Sequence, residues 1–354
     1  MIDSLVDKVS GGGLRVTESV TLDEVTRLAR GMTLKNATLQ LPLGGAKSAV
    51  RYDPTATDLE DVLVRFMEHV APVCERMYGF GPDMNTPPDL CDAVARRAGL
   101  KSRHMALAER SSYGYQGVAN YDKALRLTMG PLTVTDARTA IGVAGAVEAA
   151  ARVFELGRPL RVAVQGFGSV GMGTVYFLTQ RGHSVVGVAD GSGSYRDPGG
   201  LDFEMLYQAR AGRRDIDPDK VPRSLHAGTP SAVVGEDCDV LVLAAIADAV
   251  APADVERLRC KLIVEGGNLA VAPAAFAAVH ARGIHIVPDF VASGGAIATV
   301  SGIIQLGWSI EPAELLGEIE RRVSAATERA ARAARDGNTT IREAGLQLLP
   351  PALR

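Results

Sequence analysis

The sequence predicts an α/β protein of two domains with a cleft between them. Three observations lead to this. The chain has 354 residues, enough for two ordinary domains with sizeable cores. Beyond about residue 137, short β-branched runs alternate with helical patterns, the signature of a parallel sheet covered on both faces. A glycine-rich turn, QGFGSVG, also stands between one such run and a helix. Composition narrows the function classes. A formal charge of −3 with mixed signs gives no electrostatic footprint for nucleic acid or an acidic membrane surface. Charges break the apolar runs well before the roughly eighteen residues of a membrane span. MIDSLVDKVSGGG has no apolar core of signal-peptide length. Cys74, Cys91, Cys238 and Cys260 form no CxxC pair and no Cys/His cluster, which reads as reduced thiols in a cytoplasmic protein. The scattered histidines indicate no metal site.

In chain order, Thr21 to Glu24 reads as a capping box opening a helix through Leu22, Val25, Leu28 and Met32 to Lys35. An extended segment from Thr38 to Leu43 and the turn Gly44-Gly45-Ala46-Lys47 follow. A second capping box, Thr57 to Glu60, opens a helix carrying Leu59, Val62, Leu63, Phe66 and Val70. Gly81-Pro82-Asp83 is a breaker-rich loop ahead of another helix. A long alanine-rich helix from about Ala137 ends near Gly157. Strands are then expected at Leu160 to Val164, His183 to Ala189, Val240 to Leu243, Leu262 to Val264 and Ile284 to Val287, with a helix through Leu178. The last sixty or so residues read as mostly helical, with Ile319, Val323, Ala326 and Ala330 on one face.

Gly166, Gly168 and Gly171 have the GxGxxG spacing between a strand and a helix, and Asp190 ends the next strand. In that context the first glycine allows a tight turn, the second lets backbone approach a pyrophosphate, and the third lets helix and strand pack closely. The helix N-terminus then receives the phosphates. A Rossmann-type nucleotide domain binding NAD or NADP is the expectation. Asp190 favours NAD through the ribose hydroxyls, while Ser192 and Arg196 lie where a 2′-phosphate could be received. The second constellation is Gly44-Gly45-Ala46-Lys47-Ser48. It is not a Walker A loop, since residue 46 is alanine. A lysine there, with Lys35 twelve residues earlier and Asp83 further on, each in apolar or glycine-rich surroundings, suggests a converging polar site. A lysine desolvated beside a second cation loses its proton more easily and can act as acid or base near neutrality.

GGGLRVTESVTLDEV, GMTLKNATLQLPLGGAKSAV, GPDMNT, RTAIGV, VAVQGFGSVG, EGGNLA and PDFVASGGA occur in an order that resembles the glutamate/leucine/phenylalanine/valine dehydrogenases, from about Gly11 to about Ala344. The resemblance implies reversible oxidative deamination of an L-amino acid to a 2-oxo acid and ammonia, with NAD or NADP, by a homo-oligomer. It implies that Lys35 holds the substrate α-carboxylate, Lys47 activates water, Asp83 shuttles protons to and from the amine, and Thr139 and Asn268 lie near the nicotinamide. Gly11, Gly81 and Thr299 match side-chain pocket positions. Glutamate dehydrogenases carry a lysine where this chain has Gly11, so the resemblance implies a non-acidic substrate, bulky or aromatic. It also implies an N-terminal truncation relative to the family, and a loop, Ala292-Ser293-Gly294-Gly295, one residue short and lacking an asparagine. Two alternatives remain open. One is a diverged homologue doing related imine or reductive amination chemistry. The other is a catalytically silent nucleotide-binding or partner subunit. The domains are expected at residues 1–136 (substrate and catalytic), 137–296 (nucleotide) and 297–354 (helices returning to the substrate domain).

Overall fold

The structure is a computed structural model that describes every residue except Arg214 and Arg354. It resolves two compact units. The first comprises Met1–Leu125, Ile297–Glu311 and Ala352–Arg354, and the second Arg126–Ala296 and Pro312–Pro351.

The first unit is built on a parallel sheet. Its central strand, β1 (Ser10–Val16), is buried along its whole length and pairs on one side with β2 (Gly44–Gly45) and β3 (Ser48–Val50), on the other with β4 (Tyr78–Pro82). Ala46 and Lys47 interrupt the strand between β2 and β3. The Ala46 N–H still donates to Gly11 O at 3.0 Å, whereas the Lys47 N–H turns away to Met1 O at 2.9 Å. Leu14, Phe80, Leu63, Met67 and Val94 form the core with the helices Leu59–Arg76 and Pro88–Arg97. The helix Leu22–Thr38 packs closely on β2, where Asn36 Nδ2 donates to Gly44 O at 2.8 Å.

Several expectations change here. The segment Thr38 to Leu43 is not extended. The helix runs to Thr38, and Gln40 turns the chain with a φ of 55° before β2 begins. Gly81 and Pro82 belong to β4, and the loop starts at Asp83. Thr21 caps its helix through the Glu24 N–H at 3.2 Å, but Glu24 does not complete the box, because its carboxylate is drawn to Arg15 at 2.6 Å. Asp58, not Thr57, stands at the cap of the second helix, and no side chain caps it.

The second unit carries a seven-stranded sheet and the short hairpin β5 (Thr128–Met129) and β6 (Leu132–Thr133). The large sheet contains β7 (Arg161–Gln165), β8 (Ser184–Asp190), β9 (Gly193–Arg196), β10 (His226–Gly228), β11 (Val240–Leu243), β12 (Leu262–Glu265) and β13 (His285–Val287). Their order is β10-β9-β8-β7-β11-β12-β13. The five strands from β8 to β13 are parallel, and β9 and β10 add an antiparallel edge. The chain leaves β7 towards β8 and later returns to its other side as β11, so the order reverses beside β7. In open α/β sheets such a switch point, at the carboxyl ends of the strands, is where ligands bind. The alanine-rich helix spans Val134–Val153. The long helix Pro312–Gly337 lies against it, with Arg181 Nη1 to Glu320 Oε1 at 2.9 Å and Arg152 Nη1 to Glu328 Oε2 at 3.7 Å pinning its outer face. Of the residues 297–354 expected to return to the first unit, 312–351 therefore cluster with the second. The apolar stripe Ile319, Val323, Ala326 and Ala330 is buried, and facing helices bury such stripes wherever a complementary face exists.

Gly45 sets the approach of the Lys35-bearing helix. A Cβ there would lie 2.1 Å from Thr33 N, whereas one on Gly31 of the same helix would meet nothing within 4 Å. Gly45→Ala should lower thermal stability by about 1–3 kcal/mol through overpacking. Gly31→Ala should raise it by about 0.5–1 kcal/mol through helix propensity. Thermal denaturation of the two variants checks both signs.

Candidate functional site

β1 and its neighbours converge three charged side chains on one spot. Lys47 leaves the break between β2 and β3, and its Nζ lies 2.7 Å from Asp83 Oδ2. Arg15 Nε, from β1, reaches the same oxygen at 2.9 Å. Lys35, in the last turn of its helix, is buried with 6% of its surface exposed, and Lys47 with 4%. The Asp83 loop is fixed to β1 by its own sequence. Thr86 Oγ1 donates to Leu14 O at 2.5 Å and accepts from Asp83 N at 3.0 Å, and Asn85, with φ 60°, donates through Nδ2 to Val16 O at 2.9 Å. GPDMNT is thus a clamp that holds the carboxylate rigidly.

Burial drives the Lys47 ammonium below the ordinary lysine range. Asp83 opposes this, and the positive charges of Arg15 and Lys35 add to the lowering. Burial also pushes the Asp83 carboxyl upward, but Lys47 and Arg15 outweigh it and hold Asp83 below the usual carboxylate range. Asp83 is thus favoured as the anion, and the Lys47 proton is easier to remove than an ordinary lysine's, opposed shifts of the kind found where protons are transferred.

The three expected pocket positions lie in the same unit. A Cβ on Gly11 would point at Leu43 Cδ2 (2.8 Å) and Ile297 Cδ1 (3.3 Å), so that position is surrounded by apolar atoms. Gly81 of β4, paired with Gly13 of β1, would meet only Gly12 O at 4.0 Å and leaves open space. Thr299 is fully buried in the helix Gly295–Ile304 that also carries Ile297. A cavity of about 460 Å³ also opens in this unit, bordered by Lys47, Val20, Leu22, Phe66 and Val70. Asp83 and Lys35 do not line it, so it is not where the polar groups converge.

In the second unit, QGFGSVG follows β7 at the switch point. Gly166 has φ +100°, which disfavours any side chain, and a Cβ on Gly171 would fall 1.8 Å from Gly166 O. Gly168 precedes the helix Ser169–Gln180, and a Cβ there would meet nothing within 4 Å. That bare cradle at a helix N-terminus fits a dinucleotide pyrophosphate. Asp190 ends β8, and its carboxylate is already engaged by Ser192 N (2.9 Å), Ser192 Oγ (2.5 Å) and Ile216 N (2.7 Å). A carboxylate offers about four acceptor sites, which leaves about one for a ribose hydroxyl. Asp215 accepts from Gly191 N at 3.3 Å alongside it. Arg196 sits away from this edge: it pairs with Gly187, three residues back from the end of β8, and its Nε lies 3.9 Å from Glu236. Thr139 is half-buried on its helix, where a Cβ on Gly295 would come within 2.8 Å of its Cα, so the ASGG loop lies directly against it. Asn268 follows β12, in the same half-buried loop as Leu269 with φ 53°.

Three residues escaped the sequence reading. Arg15 was hidden in the GGGLRV strand. Gly13 matters because a Cβ there would lie 2.7 Å from Asp83 Cβ and 3.1 Å from Lys47 Nζ, so the ion pair exists only beside a bare backbone. Glu265, of EGGN, is 1% exposed and accepts from Val271 N (2.7 Å) and Asp289 N (3.2 Å), tying the Asn268 loop to the segment leading to Ser293. Burial and the neighbouring Asp289 push its carboxyl up to about 8. An acid at a strand end next to two glycines was a readable signal for it.

Comparison with known proteins agrees with this layout. Residues 130–348 match the family described as Glutamate/Leucine/Phenylalanine/Valine dehydrogenase, and residues 7–97 match its Glu/Leu/Phe/Val dehydrogenase, dimerisation domain. The chain is 30% identical over 295 residues to the NADP-specific glutamate dehydrogenase of Saccharolobus shibatae, covering 81% of this chain and 65% of that protein. It is 30% identical over 294 residues to the NAD-specific glutamate dehydrogenase of Staphylococcus aureus, covering 82% of this chain and 67% of that one. The match thus spans about two thirds of these relatives' length. The fold superposes on the Leu-bound form of the hetero-hexameric glutamate dehydrogenase of Thermus thermophilus with a TM-score of 0.78 at 25% identity, covering 97% of this chain and 80% of that one.

The Asp83 carboxyl is lowered in the folded state, so its ionisation contributes stability in full above the unfolded value of about 3.9. That contribution is lost as pH falls through the lower, folded value. Urea denaturation from pH 6 to pH 2 should show a smaller acid-limb loss in Asp83→Asn than in the parent protein, the remainder coming from other lowered carboxylates such as Glu148 and Glu318. Gly13→Ala, which forces Asp83 and Lys47 apart, should weaken the same limb.

Proposed function

Because the chain belongs to the glutamate/leucine/phenylalanine/valine dehydrogenase family, we propose that it catalyses the reversible oxidative deamination of a non-acidic L-amino acid to its 2-oxo acid and ammonia with NAD or NADP. The observation that supports this most is the buried Lys47–Asp83 pair, 2.7 Å apart, with Lys35 close enough to weaken the proton affinity of Lys47. Lys35 holds the substrate α-carboxylate. Asp83 takes a proton from the substrate ammonium, leaving the neutral amine from which the α-hydrogen can depart as hydride. Gly166, Gly168 and Gly171 would hold the pyrophosphate of the dinucleotide, with Thr139 and Asn268 near its nicotinamide, which would supply the hydride acceptor. Lys47, neutral at this stage, takes a proton from water as its oxygen bonds to the α-carbon of the substrate imine. Asp83 then returns its proton to the nitrogen, the C–N bond breaks, and ammonia leaves as the second water proton is released.

Two finer features belong to this proposal. The Gly11 position faces Leu43 and Ile297 and Gly81 leaves open space, which together suit an apolar or aromatic side chain. Asp190 and Asp215 flank Gly191, while Arg196 lies down the strand near Glu236, an arrangement that favours NAD over the 2′-phosphate of NADP. We also propose a homo-oligomer, supported by the match of residues 7–97 to a dimerisation domain and by Leu22, 74% exposed on that segment. Light scattering of the purified chain reads the assembly, and a stable monomer would reject it.

A panel of L-amino acids at alkaline pH, followed by nicotinamide absorbance, tests the activity. Glutamate should fall at least about a hundredfold below leucine or phenylalanine in kcat/KM, since its distal carboxylate would be buried without a partner. The relatives are named for glutamate, and preferred turnover of glutamate would refute the apolar pocket. Lys47→Ala should lower kcat by about 10²- to 10⁴-fold while cofactor binding persists. NAD should give a higher kcat/KM than NADP.

A further inference from the structure

Arg15 lies outside the group of residues used above, yet it is built into the same charge cluster. Its side chain is 10% exposed and divides its fork between two carboxylates: Nε to Asp83 Oδ2 at 2.9 Å and Nη1 to Glu24 Oε1 at 2.6 Å. Lys47 Nζ approaches the same Asp83 oxygen at 2.7 Å, and among the described residues no donor reaches Oδ1. We propose that Arg15 is a positioning residue for Asp83: by occupying Oδ2 together with Lys47 it leaves Oδ1 as the oxygen that exchanges protons with the substrate nitrogen. This rests on the deamination proposed above.

Three physical points support it. A carboxylate that must pick up and return one proton benefits from one fixed oxygen and one free oxygen, because a rotating carboxylate loses the alignment on which proton transfer depends. Second, Lys47 gives and takes protons, so it cannot be a permanent counter-ion. A guanidinium never deprotonates in a protein, so Asp83 keeps one fixed positive partner throughout the cycle. Third, the far end of the fork engages Glu24, in the first turn of the helix whose last turn carries Lys35. The orientation of Asp83 is thereby coupled to the helix that presents Lys35, and Glu24 has given up its capping role to make the link. The other titratable groups beside Asp83, Tyr78 and Cys91, are both pushed upward by burial (Cys91 to about 11) and stay neutral in the working range.

The test compares Arg15→Met, Arg15→Lys and Glu24→Gln in the full chain. The Asp83 carboxyl is titrated by carbon NMR, with Asp83→Asn assigning the signal, and kcat and KM are measured against pH. In Arg15→Met the Asp83 titration should move upward, the acidic limb of kcat/KM should move with it, and kcat should fall about tenfold to a hundredfold, with KM for the cofactor unchanged. Arg15→Lys keeps a cation but cannot reach both carboxylates, and should fall between. An unmoved Asp83 titration with kcat within about twofold of the parent would overturn the proposal. If Arg15→Met does not fold, the same readouts on Arg15→Lys and Glu24→Gln decide it. A parent protein inactive on every amino acid would reject the deamination reading, and the Asp83 titration would then still show whether Arg15 governs that carboxylate.

Discussion

Everything in the first unit depends on how closely the chain can approach its central strand. Gly11, Gly12 and Gly13 give β1 no side chains at three of its seven positions, and each bare position admits something different. Gly11 faces Leu43 and Ile297, Gly12 faces the Ala46 carbonyl, where a Cβ would come within 1.7 Å, and Gly13 faces the Lys47–Asp83 pair. Strands with so little side-chain packing are weak by themselves, since glycine loses the most entropy on ordering. The sheet compensates with partners on both sides and with a core of Leu14, Phe80, Leu63 and Met67 beneath it. The close approach of the charged groups and the weakness of the strand thus have one origin.

The charges confined there follow from that closeness. Burying ammonium, guanidinium and carboxylate groups is expensive unless each is paired. Arg15, Lys47, Asp83 and Glu24 meet this requirement as a network, with two cations sharing one Asp83 oxygen. The two kinds of cation differ in chemistry. Arg15 is permanent, whereas burial and like charges make the Lys47 proton easier to remove than an ordinary lysine's.

The second unit solves a separate problem with the same means. Gly166 and Gly171 allow β7 and its following helix to meet closely, and Gly168 leaves the helix N-terminus bare. Here the polar side chains organise loops. Asp190 and Asp215 hold the turn after β8, and Glu265 joins the loop after β12 to the segment after β13. These carboxylates fix the carboxyl edge of the sheet, where the strand order reverses.

What the sequence determined by itself was whatever rests on local pattern. β-branched runs placed β7, β8, β11, β12 and β13 within a residue or two, because buried parallel strands are apolar throughout. GFGSVG was legible because its strand, turn and helix are contiguous, and Lys35, Lys47 and Asp83 because their motifs are. The glycine-rich β1 and the strand character of Tyr78–Pro82 were not legible, since glycine and proline carry no strand signal and these segments become strands only through partners distant in the chain. The roles of Gly13, Arg15 and Glu24 were likewise decided by tertiary structure. A bare position, a shared carboxylate oxygen and a capping residue diverted to a guanidinium depend on groups that meet in space, 68 residues apart for Arg15 and Asp83, and local spacing does not encode such meetings.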